Sequence, residues 1–380
     1  MVEHADDASK FGSSMSPCFP LLVFHHHPNN GQEDNEDGEM LMFSISKQSL
    51  HTNMKRGLLL AAGGGGSSSS SMCWATPQGW MLLITQCHDD TDDDDDAAVS
   101  SACLWNPLTG DKFPLPDITE EEHRFPQACK CLLSHKDPTR PGCVVVLFHP
   151  STPDMWYCQV IVDNNDDKTS TRWRWRHYSY DIGNYNLPEA YRPPTKMVIW
   201  EVAAFQGRLY FINSFTDMCA IDFTSSKDHP VFHYFEAHKV DFPEGMCFGA
   251  AWLLDCDDQL FLVDVSFVGV DPHDIGAIRV HKMDFSSSSS TPSNNPPRWH
   301  SVRDIGDAVF LLEDTGLATP CQASLHGLKG NQVYFMKNFV EDDADLCVFD
   351  LESECQEITR VHHLDGLLLH RRPFWIVPPS

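Results

Sequence analysis

The chain has 380 residues, 54 acidic against 27 basic side chains and 42% hydrophobic content, enough to bury one large core or two ordinary ones. Its formal charge of −27 falls to −15 once the twelve acids of two short runs, Glu33 to Glu39 and Asp89 to Asp96, are set aside. That balance repels phosphate backbones and anionic lipid, so nonspecific nucleic-acid or membrane-surface binding is not expected.

From the start of the chain, residues 1–16 hold acids, His4 and no continuous apolar block. They read as a disordered segment with neither a secretory nor an organellar address. The longest apolar stretches, Leu58 to Ala62 and Gly142 to Phe148, fall far short of the roughly 20 residues of a membrane helix. There is no Asn-x-Ser/Thr acceptor, and Cys103, Cys143, Cys158, Cys219 and Cys347, among fourteen scattered cysteines, lie inside apolar strand-like runs. Reduced buried thiols and a monomer of the cytoplasm or nucleus are expected.

Pro20 to Phe24 and Met40 to Ile45 read as the first strands. Then one pattern recurs: a Gly or Asp turn, a hydrophobic strand, a variable loop, and a second strand ending in a polar turn. It runs through Gly79 to Ile84 with Ala102 to Pro107, Gly142 to Leu147 with Met155 to Val160, and Gly207 to Ile212 with Met218 to Asp222. Two further copies are Asp258 to Val263 with Ile278 to Asp284, and Gly330 to Phe335 with Leu346 to Leu351. The turn residues lie 63, 65, 51 and 72 positions apart, longer than the roughly 50 of a kelch unit, and the low-complexity tracts at 63–71, 89–96, 164–168 and 286–295 account for the excess as loops. Pro373 to Pro378 reads as a last strand that closes the array against the first.

Short strands rich in Val, Ile, Phe, Tyr and Trp, with almost no helix-period stretch between them, predict an all-β fold. The expected architecture is a single β-propeller domain over residues 17–380, built of four-stranded antiparallel blades with six as the expected number. A β-sandwich or two unrelated β domains is the alternative.

The combination and order of several short motifs carry a resemblance. They are Pro20-Leu21-Leu22-Val23-Phe24, Gly79-Trp80-Met81, Leu104-Trp105-Asn106-Pro107-Leu108-Thr109-Gly110, Phe205-Gln206-Gly207-Arg208, Trp299 with Asp304-Ile305-Gly306-Asp307, Gly327-Leu328-Lys329-Gly330-Asn331 and Pro373-Phe374-Trp375-Ile376. With these the chain resembles the KIB-type β-propeller family of land plants, whose propeller often follows an F-box. The resemblance implies a noncatalytic protein-interaction module with an unidentified protein partner, no cofactor, and a role like that of the substrate-recognition propeller of F-box proteins. The resemblance begins at about Pro17, and the sixteen residues before it contain no amphipathic helical run, so direct Skp1 binding is not expected.

Physical reasons stand beside several of these residues. Asn106, Pro107 and Gly110 suit a turn, Gly207 and the pair Gly330 and Asn331 suit tight turns before strands, and Trp80, Trp299 and Trp375 suit large wedges between blades. His25 to His27, His362 and His363 with Asp365, and Cys129 with Cys131 lack the spacing of a metal site. Gly63 to Gly66 lacks the Lys-Ser/Thr of a phosphate loop, and no Gly-x-Ser-x-Gly elbow is present, so no catalytic residues are assigned. Asp257 and Asp258 read as a turn.

One basic stretch remains, Arg172-Trp173-Arg174-Trp175-Arg176. On a strand its tryptophans face one side and its arginines the other. Arg172, Arg174 and Arg176 are therefore candidate contacts for an acidic partner, with the tryptophans in the core. Stacking of single-stranded RNA on Trp173 and Trp175 is a weaker reading, and an enzyme or small-molecule site in a central channel is the rival class.

Overall fold

A computed structural model describes residues 18–27, 39–51, 71–86, 99–119, 125–126, 128–163, 170–185, 195–226, 229–238, 240–246, 248–269, 274–285, 296–337, 345–361 and 368–379. The segment 1–16, residues 63–70, 89–96, 164–168 and 286–295 of the expected loops, and His362, His363 and Asp365 lie outside the described residues.

The chain divides into two compact units, residues 1–25, 39–198 and 374–380 in the first and 26–38 and 199–373 in the second. In the first unit one sheet contains β1 (Leu21–His27), β2 (Glu39–Ser44) and β3 (Ser49–His51). A second runs β4 (Ser71–Ala75), β5 (Met81–Gln86), β6 (Val99–Trp105) and β7 (Lys112–Thr119). A third is β8 (Lys130–Leu133), β9 (Val144–Phe148), β10 (Asp154–Asp163) and β11 (Ser170–Ser179).

In the second unit the fourth sheet comprises β12 (Val202–Phe205), β13 (Arg208–Ile212), β14 (Asp217–Asp222) and β15 (Val231–Glu236). The fifth comprises β16 (Phe248–Cys256), β17 (Gln259–Phe267), β18 (Ile275–Asp284) and β19 (Arg298–Val302). The sixth holds β20 (Ala308–Leu312), β21 (Ala318–Gln322), the short helix α1 (Ala323–His326), β22 (Gln332–Lys337), β23 (Asp345–Asp350) and β24 (Cys355–Arg360). The last strand, β25 (Leu368–Ile376), joins the first sheet in the order β25-β1-β2-β3, so the expected pairing of the two ends of the chain is present.

This is the all-β, six-bladed β-propeller that the repeats predict, and each repeat marks two neighbouring strands inside its sheet. The reason is that the inner strands of a blade are covered on both faces and so read as continuous apolar runs, such as Val144 to Phe148, all buried. The turns follow the residues expected. Gln206 and Gly207, with φ of 48° and 82°, make the two-residue hairpin between β12 and β13, and Asp257 and Asp258, with φ of 49° and 56°, make the one between β16 and β17.

The sixth sheet departs from the four-stranded expectation. It has five strands in the order β21-β20-β22-β23-β24, and β20 pairs parallel with β22. Parallel neighbours need a crossover, and here the hairpin to β21 followed by α1 supplies it. Gly327 ends the helix at φ 66°, and the Leu328 amide donates to the Ala323 carbonyl.

Within each unit neighbouring sheets share a core. Leu21, Val23 and Met42 meet Met81, Leu83 and Trp105, while Leu82, Ile84 and Leu104 meet Leu133, Val145 and Leu147. Tyr210 and Met218 meet Leu253 and Leu262, and Val263 and Val280 meet Phe310 and Val333. Each such side chain contributes about 1.5 to 3 kcal/mol on burial. Indole nitrogens bridge the same seams: Trp80 Nε1 donates to the Lys136 carbonyl at 3.2 Å, Trp175 Nε1 to Pro116 at 3.1 Å and Trp252 Nε1 to Glu313 at 2.7 Å. Trp80 and Trp299 pack against these seams, and Trp375 is fully buried. The twelve described cysteines are all free thiols, most of them buried, and burial pushes Cys219 and Cys321 up to about 12.

Candidate functional site

The sequence-predicted basic stretch forms β11, the outermost strand of the third sheet. Its register sets Arg172, Arg174 and Arg176 opposite Ile161, Gln159 and Tyr157 of β10. Trp175 is only 5% exposed, with its ring 5.5 Å from Phe125 and its indole nitrogen bound to Pro116. That indole is a core wedge and offers no face on which a base could stack. The alternation turns Arg174 outward, exposed, with no carboxylate within 4 Å among the described residues, while Arg176 is half-buried. The side chains of Arg172 and Trp173 lie outside the described residues. No acidic residue occurs between Ser170 and Ser179.

The residues picked from turn chemistry prove to be braces. Asn106 Oδ1 accepts from the Leu108 and Thr109 amides at 2.9 and 3.2 Å, and Gly110 follows at φ 80°. Pro107 is buried between them. Asp222 and Asp350 occupy the same place in their sheets, each closing the turn after its strand. Asp222 Oδ1 accepts from the Thr224 and Ser225 amides while Oδ2 pairs with Arg208, and Asp350 accepts from the Glu352 and Ser353 amides and pairs with Lys329 at 2.5 Å. Asn331, at φ 61°, accepts from the Ile305 amide and donates to the Arg303 carbonyl, and a Cβ on Gly330 would meet the Gly306 oxygen at 2.5 Å. These residues fix strand ends and leave the chemistry of a partner to other groups.

Sequence reasoning missed a second cluster, in the second unit. Arg372 of β25 donates from Nη1 to the Asp314 carbonyl at 2.6 Å and lies over the Trp200 ring, 5.9 Å from its centroid. Trp200, 38% exposed, leans on Gly316, where a Cβ would meet the Trp200 oxygen at 2.7 Å. Burial raises the Asp314 carboxyl, against the opposing effect of Arg372. Nothing in the sequence brings positions 200, 314 and 372 together, since no motif spans them.

Among the described residues no three His, Cys, Asp or Glu side chains gather as metal ligands would, and no helix is long and apolar enough to cross a membrane. Cys129 and Cys131 are buried in the seam between the second and third sheets. The family described as KIB1-4 beta-propeller matches residues 42–350. Comparison with curated proteins finds no match.

Proposed function

Since this chain belongs to the KIB1-4 beta-propeller family, we propose that it is a noncatalytic protein-interaction module that holds an acidic segment of a partner against β11. The observation that carries the reading is Arg174, exposed on an edge strand free of acids and without a carboxylate partner among the described residues, in a protein of charge −27. A guanidinium binds carboxylate strongly because its fork matches both oxygens, and an edge strand adds unpaired backbone groups that an extended peptide can use. The overall negative charge does not forbid this, because at physiological salt it is screened beyond about 8 Å while a direct contact is not.

The pathway that fits is the one the F-box relatives suggest, in which a propeller selects the target and a Skp1-binding module recruits the ligase, in the cytosol or nucleus. Proximity labelling with the full chain and with R174E/R176E tests the reading. Proteins enriched by the parent chain should be lost with the charge-reversed one, and their binding to the purified chain should weaken as salt rises from about 0.1 to about 0.5 M, because the Debye length shortens over that range. An unchanged set of labelled proteins overturns β11 as the contact.

A further inference from the structure

We propose that Arg372, Trp200 and the Glu313–Leu317 hairpin form a recognition site for a carboxylate group, separate from β11 and independent of that reading. Three segments far apart in sequence converge to hold one guanidinium. The Asp314 carbonyl takes Nη1 at 2.6 Å and the Trp200 ring supports its flat face. The hairpin that supplies this carbonyl is itself fixed. Gly316 donates to the Glu313 carbonyl at 3.0 Å, the Glu313 amide donates to Leu317 at 2.9 Å, and Trp252 Nε1 reaches the Glu313 carbonyl from β16. Thr315 Oγ1 donates to Glu313 Oε2 at 2.8 Å, which ties up that acid within the hairpin.

What remains of Arg372 is the Nε and Nη2 edge, exposed and without a partner among the described residues. That edge is the one that meets both oxygens of a carboxylate side by side. An arginine already held by stacking and by a carbonyl loses little further rotamer freedom on binding, so the ordering cost that weakens surface pairs is largely met before the ligand arrives. Asp314 presents its carbonyl to Arg372, and burial raises the pKa of its carboxyl against the opposing effect of the guanidinium. Gly316 is required at its position, since any larger residue would displace Trp200.

The carboxylate can come from a small free acid or from an acidic residue of a protein, and two probes separate these sources. The full chain, labelled with 5-fluorotryptophan, is titrated with succinate and with a hexaglutamate peptide, the Trp200 fluorine resonance being assigned as the one missing from W200F. The expected result is a saturable shift of that resonance with at least one probe, weakened about tenfold or more in R372K, which keeps the charge but lacks the fork, and lost in R372Q. The other tryptophan resonances report that each variant is folded. Saturation by succinate points to a free acid, and saturation by hexaglutamate alone points to a protein segment. The proposal is overturned if neither probe moves the resonance, if R372Q responds as the parent does, or if sodium chloride at matched ionic strength gives the same shift.

Discussion

Gly79→Ala is expected to lower the free energy of unfolding by about 3 to 5 kcal/mol. Thr76, Pro77, Gln78 and Gly79 form the hairpin between β4 and β5, with the Gly79 amide donating to the Thr76 carbonyl at 2.9 Å and the Thr76 amide to Trp80 at 2.9 Å. Gly79 closes this turn at φ 88°, where an L side chain is strained, and its missing side chain makes room for the end of the chain. A Cβ there would stand 2.4 Å from the Pro379 nitrogen and 2.7 Å from the Pro378 carbonyl carbon, backbone atoms of two prolines that have little freedom to yield. The same substitution at Gly245, with φ 81° and nothing within 4 Å of its Cβ, carries only the conformational cost of about 1 to 2 kcal/mol. Urea unfolding of both variants separates the two effects. If they lose equal stability, the turn at Gly79 does not hold the C-terminal prolines.

Much of the fold is legible in the sequence because two physical signals coincide at five of the six blades. A glycine, asparagine or aspartate marks the point where the backbone must turn at positive φ, and the apolar run after it marks a strand covered on both faces. Gln206 with Gly207 and Asp257 with Asp258 are such points, and both are two-residue hairpins. The extra strand β21 escapes this logic. Pro320 sits within it, opposite Phe310, and proline ordinarily argues against a strand; it is tolerated here because β21 is the edge of its sheet.

The candidate sites divide the same way. Arg174 and Trp175 could be assigned to opposite faces from strand alternation alone, a period of two that any ten-residue strand obeys. Arg372 could not be placed beside Trp200, because tertiary packing, and no local pattern, joins the last strand to residues 172 positions earlier. Asp222 lies between these cases. Its place at a strand end is visible, but its pairing with Arg208 across a hairpin depends on the register Leu209 to Ile221.

Asp222→Ala should cost about 2 to 3 kcal/mol, the larger loss of the two strand-end aspartates. The carboxylate is 4% exposed and accepts from the Thr224 amide and hydroxyl, both at 2.7 Å, from the Ser225 amide at 3.1 Å, and from Arg208 at 3.0 Å. Burial by itself raises the Asp222 pKa, but the hydrogen bonds from Thr224 and Ser225 outweigh it and hold the carboxyl well below the usual range. A carboxylate depressed in the folded state contributes stability that is present above its unfolded value, near pH 4, and is lost as the pH falls through its folded value. Chemical unfolding at successive pH values below about 4 should therefore show a shallower fall in Asp222→Asn than in the parent chain. His281 acts in a different window. Burial first, and then the Arg279 charge, lower its pKa, so its contribution begins to be lost as the pH drops below about 6.5. A parent chain and Asp222→Asn with parallel stability curves below pH 4 would remove Asp222 from the acid response and assign its depressed titration to no folding consequence.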